Sequence, residues 1–118
     1  MRTAFNPLGV GDMAKDYIID YGNNSNGWYR KWKSGFIEQW GRCNCVIYNN
    51  TTININFPIE MSNTNYYATS NAIDKNIGES WVVASRISNL TTNSMIVRAG
   101  VNGTGGFTGQ GTWYVCGY

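Results

Sequence analysis

Glu38 and Glu60 are candidates, by type alone, for acid and base chemistry on a glycosidic bond, a reaction that needs two carboxyl groups flanking one sugar linkage. Their positions do not fix a separation. Glu38 sits between Ile37 and Gln39 in an alternating run, and Glu60 follows Pro58. Hydrogen bonding or plain solvent exposure accounts for both more simply. The chain has no His, which removes Ser-His and Cys-His nucleophile pairs and any His-ligated metal. Cys43-Asn44-Cys45 has no second Cys pair to complete four ligands. The stretch from Gly100 to Gly111 is rich in Gly but is followed by no Lys, carries Thr108 where a dinucleotide loop needs Gly, and leads into no helix. No catalytic residue, metal or cofactor is therefore expected, and the chain is not expected to be an enzyme.

The three cysteines, Cys43, Cys45 and Cys116, cannot all pair within one chain. Cys43 and Cys45 are two apart and face the same side of a strand, which disfavours a bond between them. Small buried thiols in a reducing compartment are the simpler reading. A bridge from Cys116 to Cys43 or Cys45 is the alternative.

Charged residues make up 14% of the 118, and the net charge is +2, against about 25% charged in ordinary soluble domains. Without a basic run there is no counterion-release handle, so nucleic acid is not an expected partner. No window approaches the roughly 20 apolar residues of a membrane span, and the first residues lack the apolar core of a signal peptide. Polarity comes from 16 Asn, 10 Thr and 8 Ser beside 14 Gly, with five Trp and eight Tyr. These types favour turns and strands over helix interiors. The Asn-x-Ser/Thr sequons at Asn23, Asn49, Asn50, Asn89 and Asn102 follow from that composition.

The elements follow a period of two. Asp12 to Asp20 fits a helical turn or two, while Tyr17-Ile18-Ile19 reads slightly better as a strand, and Asn23 to Gly27 turns. Strands are expected from Trp28 to Lys33 and from Phe36 to Arg42, the latter extending towards Tyr48. Thr51 to Phe57 follows, with Ile53, Ile55 and Phe57 inward. Then come Asn65 to Ala72, Ser80 to Ser88, Ser94 to Ala99 and Thr112 to Tyr118. Residues 1–26 read as a linker and 27–118 as the domain. Short strands separated by turns, with no long helix, predict an all-β antiparallel sandwich of about seven or eight strands. At least three of the five Trp are expected in its core, leaving one or two for stacking on a sugar.

From Asn26-Gly27-Trp28-Tyr29-Arg30-Lys31-Trp32 through Ser34-Gly35-Phe36-Ile37-Glu38-Gln39-Trp40-Gly41, the sequence resembles the C-terminal domain of phage and prophage tail fibre proteins. Two further blocks come in the same order: Phe57-Pro58, and the closing Trp113-Tyr114-Val115-Cys116-Gly117-Tyr118. Cys43, Cys45 and Cys116 depart from the family pattern. The resemblance implies a β-sandwich knob at the tip of a homotrimeric fibre, forming the tail end of a longer protein. It also implies assembly in a bacterial cytoplasm into a virion tail fibre. The implied partner is a bacterial surface polysaccharide or outer-surface protein, bound during host adsorption without membrane insertion. An Asn/Thr/Ser surface suits glycan hydroxyls. A carbohydrate-binding module of an enzyme and a purely structural trimerisation cap are the alternatives.

Strand parity nominates the receptor loops. If every connection reverses direction, Ser34-Gly35, Ile59–Thr64, Asn89–Asn93 and Tyr118 share one end. Asn49-Asn50, Asp74–Glu79 and Gly100–Gly111 share the other, beside the start of the Trp28 strand where the stalk is expected. The first end is then distal. That nominates Ser62, Asn63, Asn65, Tyr66, Asn89 and Thr91, with the Gly-rich loop through Asn102, Phe107 and Gln110 as the rival.

Overall fold

The computed structural model describes residues 15–47, 51–73, 82–102 and 107–118. Among these there is no helix. Eight strands form two antiparallel sheets: β1 (Ile18–Asn24), β2 (Gly27–Trp32), β3 (Ile37–Ile47), β4 (Thr51–Asn56), β5 (Tyr67–Ile73), β6 (Val82–Ser88), β7 (Ser94–Asn102) and β8 (Phe107–Gly117). The larger sheet has the order β1-β2-β3-β8-β5 and the smaller β4-β7-β6. The expected turns at Asn49-Asn50 and Asp74–Glu79 lie outside the described residues. The connection expected from Gly100 to Gly111 is shorter than that, because β7 continues to Asn102 and β8 begins at Phe107.

The sheets pack as the alternation dictates. On β3, Ile37, Gln39 and Gly41 face inward; on β8, Gly111, Trp113 and Val115 do so. The smaller sheet contributes Ile55, Met95 and Val97, and the link between β4 and β5 adds Phe57, Met61 and Tyr66. Nine buried residues, aliphatic and aromatic, make this core among the described residues, and burying such a side chain stabilises by about 1.5–3 kcal/mol.

Residues 57–66 act as a third layer. They pack on the inner face of the larger sheet beside the three-stranded sheet. Met61 and Tyr66 lie against Gly117, and the side chain of Gln39, fully buried, holds Ile59.

The three separate motif blocks meet at one place. The indole of Trp113 lies against Gly41, where an added Cβ would come within 2.7 Å of its Nε1. It also touches Gly27, whose φ of +142° and contact with the Trp40 carbonyl admit no side chain. Phe57 stacks on Trp113 at 5.7 Å, and Tyr66 meets Phe57 edge-on at 5.5 Å. Asn24, at the β1–β2 turn, donates to the Pro58 carbonyl at 3.2 Å.

Two expectations are corrected here. Of the four described Trp, Trp113 alone is in the core; Trp28 is 47% exposed, and Trp32 and Trp40 are half-buried on the outer face. Alternation put them there: Trp28, Arg30 and Trp32 share parity, and Trp28 and Arg30 are registered against Trp40 and Glu38. Residues 18–24 of the expected linker form β1, hydrogen-bonded along β2 as the sheet edge.

Candidate functional site

Two loops are clasped at one end of the sandwich. The Met61 N–H donates to the Thr92 carbonyl at 2.6 Å. The Tyr66 hydroxyl donates to the Thr91 carbonyl at 2.8 Å, and the Thr92 hydroxyl donates to a Glu60 carboxylate oxygen at 2.9 Å. Each loop is also braced within itself. Asn63 Oδ1 accepts the Asn65 N–H at 2.8 Å, and the Thr91 hydroxyl donates to Asn93 Oδ1 at 3.0 Å. Asn89 ends β6 in the left-handed region at φ 51°, a conformation Asn tolerates better than most residues. Short polar side chains that bond their own backbone build rigid turns without a hydrophobic anchor.

This end gathers the loops that parity grouped together. Gly35 and Phe36 lie against Tyr118, and Gly117 lies against Met61 and Tyr66. Ser62, Asn63, Asn65, Asn89 and Thr91 are exposed there. Tyr66 is not: it is 6% exposed, its ring in the core and its hydroxyl committed to Thr91. Burial pushes its phenol above the usual value, against the hydrogen bond to Thr91. Tyr66 positions the loops, and the aromatic that faces solvent is its neighbour Tyr67, 82% exposed. The sequence signal was present, since adjacent residues of a strand point opposite ways, but parity along this segment was ambiguous.

Residues 15–17 do not lie at the opposite end. Because β1 runs antiparallel to β2, residues 15–17 sit beside the β2–β3 turn. The Lys33 N–H donates to the Tyr17 carbonyl, and Asp16 accepts from the Ser34 N–H and hydroxyl at 2.9 and 2.8 Å. Parity therefore groups the loops but does not make them distal. Of the rival residues, Asn102 closes β7, and Phe107 and Gln110 lie within β8; they are strand positions rather than a loop.

A second feature, missed in the sequence, covers the outer face of the larger sheet. Glu38 is its hub. Its carboxylate accepts from Tyr114 Oη at 2.7 Å and Trp32 Nε1 at 3.0 Å. Arg30 adds an Nη2 hydrogen bond at 3.3 Å and an ionic Nε contact at 3.2 Å that is not angled as a hydrogen bond. The Arg30 guanidinium also lies 5.0 Å from the Trp40 ring centre. Burial pushes the Glu38 carboxyl up, but the hydrogen bonds from Tyr114 and Trp32 and the Arg30 charge outweigh it, so the group titrates below its ordinary value. Burial, then the bond to Glu38, raises the Tyr114 phenol well above its own. A carboxylate so tied is a structural anchor. Glu60 has a different partner, Thr92 on the clasped loop.

Flanking that hub, Trp28, Trp40, Arg42, Thr69, Asn71 and Tyr114 line a shallow depression of about 380 Å³. No cluster of metal-ligating side chains occurs among the described residues, and no helix there is long and apolar enough to cross a membrane.

The fold has counterparts among solved structures. An R1-type pyocin tail fibre fragment superposes with a TM-score of 0.66 at 12% identity, covering 95% of this chain and 96% of that one. Longer fibre fragments from P. aeruginosa R1 and R2 pyocins give 0.62 and 0.58 at 13% and 18% identity. They cover 100% and 95% of this chain but 34% and 29% of theirs, so this chain spans about a third of those fragments. No curated protein matches by sequence. A family profile described as tail fiber protein gp53-like, C-terminal, matches residues 31–118, the span that holds the Glu38 hub, the Trp113 contact with Gly41 and the clasped loops. The chain thus belongs to the gp53-like C-terminal family of tail fibre proteins.

Proposed function

We propose that this tail fibre domain binds a bacterial surface receptor, of glycan chemistry, through the clasped loops 60–65 and 89–93, and that it does so without catalysis. The observation that carries this is the loop pair itself. Ser62, Asn63, Thr64, Asn65, Asn89 and Thr91 present neutral hydrogen-bonding groups to solvent on backbone already held by Tyr66, Met61 and Glu60. Pre-ordering lowers the entropy lost on binding, and exposed Tyr67 beside them offers a face for a sugar ring. The domain acts as a homotrimer in a virion or virion-like fibre. Support for this is the uncovered β1 edge, where Tyr17, Ile18, Ile19 and Tyr21 are all exposed.

The test is replacement of Ser62, Thr64 and Tyr67 by Ala, with binding of the folded protein to bacterial surface polysaccharides measured on an array. Loss of binding to a polysaccharide that the parent retains supports the reading. Unchanged binding by the triple variant places the receptor elsewhere.

A further inference from the structure

We infer that Arg86 and Arg98, on the outer face of the smaller sheet, form a subsite for an anionic group on the receptor glycan, a carboxylate or a phosphate. The inference rests on the glycan reading above. Arg86 on β6 and Arg98 on β7 are direct cross-strand partners, and Arg98 faces Thr52 of β4 on its other side. Opposed residues hold their Cβ atoms about 4.5–5.5 Å apart, and like charges so placed repel. Both are exposed.

Neither arginine has an acidic partner among the described residues. The acids placed there are engaged elsewhere: Asp16 with Ser34, Asp20 with Tyr29, Glu38 with Arg30 and Glu60 with Thr92. The two guanidinium groups border a depression of about 320 Å³ that Thr52, Ser88, Asn89 and Ile96 complete. Hydroxyl and amide groups beside paired guanidinium groups suit a sugar carrying one oxyanion, which two arginines can bind through forked hydrogen bonds. Asn89 belongs both to this depression and to the clasped loops, so one extended saccharide reaches both. On the outer face of the larger sheet, by contrast, Arg30 is already neutralised by Glu38.

The probes are a glucuronate-containing oligosaccharide, a sugar phosphate and a neutral oligosaccharide of equal length, titrated into the protein and followed by NMR. The variants are Arg86→Gln, Arg98→Gln and, as a control cation on another sheet, Lys31→Gln. Saturable shifts with either anionic probe, weakened about tenfold by each Arg variant and unaffected by Lys31→Gln, are expected; which probe binds tells carboxylate from phosphate. Thermal melting gives a second readout, because each Arg variant relieves repulsion and should fold at least as well as the parent, while losing the stabilisation that the anionic probe confers. Equal weakening by all three variants, or no preference for the anionic probes, overturns the subsite. Anion binding that survives loss of loop function upholds it while removing the loop reading, and loop-dependent binding of a neutral glycan unaffected by Arg98→Gln does the reverse.

Discussion

The side-chain amide of Gln39 and the backbone of Ile59 exchange two hydrogen bonds, Nε2 to the carbonyl and the N–H to Oε1, each 2.9 Å. An amide side chain here does what a neighbouring strand would do, and Met61 Sδ accepts a further contact from Nε2 at 3.2 Å. Gln39→Leu would keep the volume but strand a buried N–H and C=O. Its expected cost is roughly 2–4 kcal/mol, read as a lower denaturant midpoint. A loss under about 0.5 kcal/mol would show that the 57–61 segment is held by its apolar contacts alone.

Gly41→Ala should destabilise by about 1–3 kcal/mol, because the new methyl would clash with the buried indole of Trp113. The accompanying sign is a shift in tryptophan emission as Trp113 is displaced. An unchanged melting temperature would mean that the indole has room the structure does not show.

Glu38→Gln should weaken the fold by about 1–2 kcal/mol at neutral pH, through loss of charge-assisted bonds, rather than leaving it unchanged as solvent exposure would imply. The folded carboxyl titrates below its ordinary value, so the stability it adds is fully present above the unfolded carboxyl value. That stability is lost as pH falls through the folded one. Parent and variant should therefore converge in acid. Parallel stability curves across that window would contradict the hub.

Cys116 should form no bridge with Cys43 or Cys45. On the β3–β8 ladder Cys116 is opposite Glu38, while Cys43 and Cys45 face Gly111 and Gly109. Five residues of strand separate Cys116 from the nearer one, about 17 Å at the usual rise, against a bridging limit near 7 Å. After mild oxidation, peptide mapping should find no Cys116 crosslink within a protomer; a Cys116–Cys43 peptide would break the register.

Ile19→Lys with Tyr21→Lys should shift the solution mass towards one protomer, if the exposed β1 edge is where copies meet. A trimer mass unchanged by both would move the interface to another face.

Local alternation was enough to read the strands. Thr51 to Phe57 faces as its pattern says, with Ile55 and Phe57 buried, and the two-sheet architecture follows from such runs. The Trp residues misled because type argues for burial while parity argues against it, and in β2 parity prevailed: Trp28 shares a face with Arg30 and Trp32. The contact between Gln39 and Ile59 was not legible, since nothing in a local pattern tells which segment will pack on a strand face. The clasped loops were grouped correctly by counting reversals. The direction of approach failed because β1 adds one more reversal before β2.

The residues by which this chain is recognisable, Gly27, Gln39, Gly41, Phe57, Trp113 and Gly117, are all engaged in holding the frame. None of them lies among the exposed loop residues 62–65. On the proposed receptor reading, segments 62–65 and 89–91 would act as exchangeable cassettes: a loop of the same length, retaining Tyr66 and Thr92 as its fastenings, would retarget the domain while the scaffold beneath it stayed the same.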